Sequence, residues 1–212
     1  MKLIYLSSNA VQSFCARNPI QWFTRELAEQ GDVLTPTPGM QVFFDMLLDS
    51  NRLFTQAQYY EKACLVWADW LSGLKPKVQD GIKARLYRNF YPSAIDSVHA
   101  WALLVETGLF DACYIDPLTD AASKTDITVV TKDRRSIQIA LYFGGAYSQR
   151  RTDYKRRVRG KADHAIDVIL PASRAPGAGK KRWYETKDFA SCLLYTSPSP
   201  RDRTRSRMPS SA

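Results

Sequence analysis

The sequence has no long apolar run, few cysteines and no signal segment. No uninterrupted apolar stretch approaches the roughly 18–20 residues that a membrane span needs, and the N-terminus lacks the basic-then-apolar pattern of a secretory signal. The 4 cysteines are scattered without Cys-x-x-Cys spacing, which argues against a disulfide framework and against a structural zinc site. We therefore expect a cytoplasmic protein with no membrane partner.

Charge is the first positive feature of the chain. Its 212 residues include 30 Lys and Arg against 21 Asp and Glu, which gives a net charge of +9. A basic balance of this size favours an anionic partner such as nucleic acid, and we expect DNA.

The end of the chain, 192–212, is expected to be an artefactual or disordered tail. It has no apolar period and is rich in Ser, Pro and Arg, as disordered segments are. Back-translation of Cys192–Asp202 resembles the transposase adaptor used to build shotgun sequencing libraries, and Ser206–Ala212 resembles a flow-cell primer. We therefore expect a truncated fragment cut near Ser191. Without the four Arg and one Asp of the tail, residues 1–191 carry +6.

Residues 1–91 predict a helical N-terminal domain. Pro at or near the first helical position, in places after a capping residue, and one capping box are typical helix starts. Trp and Tyr residues at helical spacing indicate a core rather than a platform for stacked bases. Lys2–Leu6 is compatible with a short strand. The helix-start signals in chain order are Asn18-Pro19, Thr37-Pro38, Thr55-x-x-Gln58, Lys75-Pro76 and Tyr91-Pro92.

Residues 92–191 predict an α/β domain. A helix that ends near Glu106 precedes β-rich runs, with a Lys-Asp-Arg-Arg turn between two of them. A strongly basic helix is expected over Tyr147–Arg159. The predicted strands are Ala112–Ile115, Asp126–Val130, Ser136–Phe143, Ala165–Leu170 and, as a last strand, Arg182–Thr186.

This αβββαβ order, with an acid leading the second strand, resembles the PD-(D/E)xK restriction-endonuclease-like nuclease superfamily over about residues 94–170. In that family an acid at the start of one strand and a Glu or Gln on the next bind Mg²⁺, and a helix Glu often joins them. The resemblance implies Asp126 and Gln138 as magnesium ligands and catalytic residues, with Glu106 as the helix acid. The family also has a Lys two residues beyond the Glu or Gln. That position is Ala140 here, which predicts weak or absent cleavage.

A second register of the same motif is an open alternative for catalysis. Asp167 lies in a predicted strand, and Glu185 and Lys187 follow after a loop, which completes a D…ExK set. The helix and strand that should follow Lys187 would lie beyond the cut, and no acidic helix precedes Asp167. We favour the first register for the fold.

Residues 147–161 form the most basic segment of the chain. The segment carries +6, and such a strip can neutralise several phosphates and make binding fall steeply with salt. The chain is therefore expected to act on nucleic acid, as a Mg²⁺-dependent endonuclease that hydrolyses phosphodiester bonds or as a degenerate relative. The alternatives are a non-catalytic DNA- or RNA-binding module and a protein-interaction module with an acidic partner. The cations are Arg150, Arg151, Lys155, Arg156, Arg157, Arg159 and Lys161, with Asp153 as the single acid.

Overall fold

The computed structural model describes residues 6–20, 39–115, 125–143, 165–170 and 183–189. Helices occupy the first half of this part of the chain. They are α1 (Ser8–Arg17), α2 (Gly39–Ser50), α3 (Gln56–Val66), α4 (Ala68–Ser72), α5 (Pro76–Arg85) and α6 (Tyr91–Glu106).

The helix starts follow the capping chemistry of the sequence. The Thr55 hydroxyl accepts the Gln58 N–H, and the Gln58 side chain accepts the Thr55 N–H at 2.8 Å, so the predicted capping box forms at α3. Pro76 occupies the first turn of α5, where the missing N–H costs nothing, and Pro92 lies in the first turn of α6. The helices predicted from these signals are confirmed.

The Asn18-Pro19 prediction is wrong, because Asn18 ends a helix rather than starting one. Its backbone N–H donates to the Phe14 carbonyl at 3.0 Å, and its side-chain amide donates to the same oxygen at 2.9 Å. Pro19 disfavours a helical conformation at Asn18, which explains the stop. Helix α1 instead begins at Ser7, whose hydroxyl accepts the Ala10 N–H. The predicted continuation to Gln30 and most of the predicted strand Lys2–Leu6 lie outside the described residues.

A π-helical segment, Leu86–Phe90, joins α5 to α6, so helical backbone runs from residue 76 to residue 106. Gly39 packs against this junction. A Cβ at Gly39 would lie 2.9 Å from Phe90 Cγ, 2.9 Å from Tyr59 Oη and 3.1 Å from Leu86 Cδ2. The close approach of α2 therefore requires a residue without a side chain.

The strands of the described residues are β1 (Phe110–Tyr114), β2 (Ile127–Thr131), β3 (Ser136–Phe143) and β4 (Ala165–Leu170). They form one mixed sheet in the order β1-β2-β3-β4. Strand β2 is antiparallel to both β1 and β3, whereas β4 is parallel to β3. A mixed α/β chain with a helical first half is therefore confirmed.

The last predicted strand, Arg182–Thr186, is wrong in its described part. The 183–185 backbone is irregular, and Thr186–Phe189 forms a 3₁₀ turn. The Asp188 carboxylate accepts the Glu185 N–H at 2.8 Å, while the Asp188 N–H donates to the Glu185 carbonyl at 2.9 Å. These local hydrogen bonds favour a turn over a strand.

Helix α6 contributes to two clusters of buried side chains. Its first half, including Ile95 and Val98, packs with α2 and α3 around an aromatic group of Phe43, Phe54, Tyr59 and Tyr91. Its second half packs on one face of the sheet through Ala100 and Leu104. The sheet residues in that second cluster are Ile127, Val129, Ile137, Ile139 and Val168. Among the described helices, none is both long enough and apolar enough to cross a membrane.

Candidate functional site

Asp126 immediately precedes β2 and is hydrogen-bonded to β3 through both its backbone and its side chain. Its N–H donates to the Ile139 carbonyl at 2.9 Å. Its Oδ2 accepts the Leu141 N–H at 2.7 Å. The carboxylate thereby satisfies a backbone donor of β3 next to the point where β2 begins, and an unsatisfied donor there would be costly.

The sheet register places Asp126, Ala140 and Asp167 in one row across three strands. Ile127 pairs with Ile139, so Asp126 lies beside Ala140, and Ala140 in turn pairs with Asp167. Neighbouring strands are about 4.8 Å apart, so the two acids flank the position where the PD-(D/E)xK family has a Lys. Ala140 is fully buried.

Gln138 lies two residues before Ala140 and therefore on the same side of β3. Its Oε1 accepts the hydroxyl of the buried Thr125 at 3.3 Å. Asp126, just before β2, and Gln138 on β3 thus lie at diagonal positions of the register, since the direct partner of Gln138 is Thr128. One oxygen of each side chain is already engaged by a donor of the protein.

Glu106 does not join Asp126 and Gln138. Its two carboxylate oxygens accept the backbone N–H of Ser8 at 2.8 Å and the Ser8 hydroxyl at 2.6 Å. Glu106 thus binds the first turn of α1, where a negative charge is favourable. It lies ten residues beyond Asp96 on α6, which is about 15 Å along a helix.

Asp96 is a buried acid of α6 that sequence reasoning missed. Asp96 and Asp126 each lie within electrostatic range of Tyr184, a buried phenol whose hydroxyl donates to the Tyr142 carbonyl at 3.4 Å. Burial raises the pKa of Tyr184, and the charges of Asp96, Asp126 and Asp188 raise it further. These three carboxylates therefore lie close enough to act on one phenol. A single acid within an otherwise apolar helical stretch was the available signal for Asp96.

His99, one helical turn after Asp96, is also buried beside this group. Its Nε2 accepts a hydrogen bond from the Gln12 side-chain amide at 2.9 Å, because an amide nitrogen only donates. Its ring stacks on Trp183 with centroids 4.5 Å apart. His99 thus joins α1, α6 and the 183–189 segment.

The second register does not form a strand pair. Asp167 lies in the middle of β4, as predicted. Glu185 lies instead just before the 3₁₀ turn, and Lys187 lies within it. Lys187 Nζ contacts Glu185 Oε2 at 2.6 Å, with side chains 66% and 52% exposed. An exposed ion pair of this kind contributes little to stability.

The part of the chain that the structure describes contains no complete set of ligands for the expected magnesium ion. There, no three His, Cys, Asp or Glu side chains are grouped closely enough to hold a metal ion. Asp126 and Gln138, with one oxygen each already engaged, do not make up such a site by themselves. The expected phosphate-binding cations, which are Arg150, Arg151, Lys155, Arg156, Arg157 and Arg159, lie outside the described residues.

In comparisons with known proteins, the chain matches no protein-family model, no curated protein and no solved structure.

Proposed function

We propose that this protein binds nucleic acid, with DNA as the expected partner, and does not cleave it through Asp126. The observation that carries the second half of this proposal is the hydrogen bond from the Leu141 N–H to Asp126 Oδ2 at 2.7 Å. The carboxylate therefore stabilises the sheet at the position where a nuclease of the PD-(D/E)xK type needs a metal ligand.

The residue beside Asp126 supports the same proposal. Ala140 is fully buried and carries no group that could activate water. In the PD-(D/E)xK arrangement an ammonium at this position helps to position the attacking water. A chain with Ala140 at this position lacks that ammonium group.

The binding half of the proposal is supported by charge. Residues 147–161 carry +6, which equals the whole net charge of residues 1–191. Cations at this density release counterions when they neutralise phosphates, which makes binding both strong and salt-dependent. The three described cysteines are free thiols, which is compatible with a reducing cytoplasm.

The test is a combined binding and cleavage assay with the full chain on labelled duplex and single-stranded DNA. Each reaction contains Mg²⁺, Mn²⁺ or a chelator. We expect binding in every condition and no metal-dependent cleavage. Arg150→Ala with Arg151→Ala should weaken binding about equally across sequences, because phosphate contacts carry no sequence information.

Three results would contradict the proposal. Metal-dependent cleavage that is lost in Asp126→Ala restores the first register as a nuclease site. Cleavage that is lost in Glu185→Ala but not in Asp126→Ala contradicts the expected absence of cleavage and makes Glu185 of the second register the candidate for the chemistry. An absence of binding at low salt removes the nucleic-acid partner and favours an acidic protein instead.

A further inference from the structure

The hairpin between β2 and β3 presents a second set of cations, outside the basic segment 147–161 and distant from Asp126. The turn reads Lys132-Asp133-Arg134-Arg135, and all four residues are exposed. The tip lies six residues from Asp126 along an extended strand, which is about 20 Å. Its net charge is +2.

Hydrogen bonds to the buried Thr131 close the turn. Thr131 is only 1% exposed. Its N–H donates to the Arg135 carbonyl at 2.9 Å, its carbonyl accepts the Arg134 N–H at 2.8 Å, and its hydroxyl accepts the Arg135 N–H at 3.0 Å. A loop that is ordered before binding loses less entropy when a partner docks.

The single acid of the turn is engaged by its neighbours. Arg135 Nε lies 2.6 Å from Asp133 Oδ2, and the Thr131 hydroxyl contacts the other carboxylate oxygen. The Thr131 hydrogen bond, followed by the Arg135 contacts, holds the pKa of Asp133 below its ordinary value. Asp133 therefore stays charged and paired with Arg135, while Lys132 and Arg134 make no ion pair with any residue that the structure describes.

Arg134 adopts a backbone conformation that favours another residue type. Its φ is +65°, in the left-handed region where Gly and Asn are favoured and other residues are strained. This turn geometry, with a left-handed residue at the third loop position, ordinarily uses Gly there. An Arg at such a position keeps a cation at the tip at a cost in backbone energy, and strain of this kind clusters at functional sites.

We propose that the tip of the β2–β3 hairpin is a nucleic-acid contact, in which Lys132 and Arg134 each neutralise one backbone phosphate. This inference rests on the proposed function and adds a second, preorganised contact to the basic segment. The ligand is the phosphodiester backbone of DNA or RNA rather than the bases, because the exposed cations stand at the end of a narrow turn with no exposed aromatic group among residues 132–136.

The test measures the salt dependence of binding for the full chain and two double variants. The hairpin variant is Lys132→Ala with Arg134→Gly. The matched control is Lys62→Ala with Lys77→Ala, which removes the same charge from exposed positions on α3 and α5. Duplex DNA and duplex RNA are used as separate probes.

The slope of log K against log salt should become less steep by about 1.8 in the hairpin variant, and affinity at about 0.1 M salt should fall roughly 60-fold. The control should show the wild-type slope. Equal slopes in the hairpin variant and in the control would overturn the inference and leave the proposed function intact. Absence of wild-type binding to both probes would overturn both proposals.

Arg134→Gly alone separates folding from binding. Gly relieves the left-handed strain at position 134, so the melting temperature of this variant should equal or exceed that of the wild type. Its affinity should nevertheless fall by about 8-fold at roughly 0.1 M salt, which is the loss expected when one phosphate contact is removed. A variant that is stabilised and binds as tightly as the wild type would contradict the role of Arg134.

Discussion

Replacing Asp126 by Ala distinguishes a structural carboxylate from one held for chemistry, because the two roles predict opposite signs for the change in stability. In the structure, Asp126 Oδ2 accepts the Leu141 N–H at 2.7 Å. Asp126→Ala leaves that part-buried donor without its acceptor. The cost of such a loss is about 2 kcal/mol, within the ~1–3 kcal/mol typical of an unsatisfied buried polar group.

For a chain of this size, about 2 kcal/mol corresponds to a fall in Tm of roughly 4–8 °C. Thermal unfolding of Asp126→Ala, Asp126→Asn and the wild type by circular dichroism measures it. Asp126→Asn keeps a side-chain oxygen as acceptor, so its loss should be about half as large. Asp111→Ala, at an exposed position on β1, is the control and should stay within about 0.5 kcal/mol of the wild type.

A rise in Tm for Asp126→Ala would refute the reasoning. Residues kept for catalysis or metal binding are often unfavourable for stability, so that their removal stabilises the fold. The structural role predicts the reverse, and the Asn variant separates loss of the acceptor from loss of the charge.

Three further predictions concern Gly39, Glu106 and Cys113. Gly39→Ala should cost about 1–3 kcal/mol in denaturant unfolding through overpacking, whereas Gly73→Ala, whose Cβ would meet only the Trp70 carbonyl at 3.6 Å, should be tolerated. Glu106→Ala should cost about 1–2 kcal/mol by removing both hydrogen bonds to Ser8 at the start of α1, with Glu61→Ala as the exposed helical control; equal stability of the two variants would contradict that role. Burial raises the pKa of the Cys113 thiol from 9.0 to about 11, so the folded state favours the protonated thiol and its contribution to stability is lost as pH rises from 9 towards 11. At pH 8 its alkylation should be about 100-fold slower than in the unfolded chain, and equal rates in native buffer and in denaturant would be inconsistent with the buried thiol.

The helices and strands could be predicted where local chemistry decides them. The capping box at Thr55, Pro76 at the start of α5 and the alternating apolar residues of β2 and β3 each act over a few residues, so the sequence alone reveals them. Helix α1 was missed because its polar Ser, Asn and Gln residues give a weak apolar period. Its stability comes from tertiary contacts such as Glu106 with Ser8.

The candidate site was predicted less well because it depends on long-range contacts. The β2–β3 register, which makes Asp126 and Gln138 neighbours, follows from the hairpin and could be foreseen. The pairing of Ala140 with Asp167 depends on a parallel crossover, and the approach of Asp96 to Tyr184 joins residues 88 positions apart. The position of Glu106 at the end of the helix before the strands favours it as the helix acid of the site. In the structure, its carboxylate binds Ser8 at the start of α1 instead.

The most direct test of the account is the equilibrium dissociation constant of the full chain for duplex DNA, measured by fluorescence anisotropy across a salt series without divalent metal. We expect tight binding at low salt and a slope of log K against log salt of about −0.9 for each phosphate neutralised, hence a steep loss of affinity between about 50 and 200 mM salt. An affinity that does not change with salt, or no binding at the lowest salt, would contradict the claim that this protein binds nucleic acid through its cations.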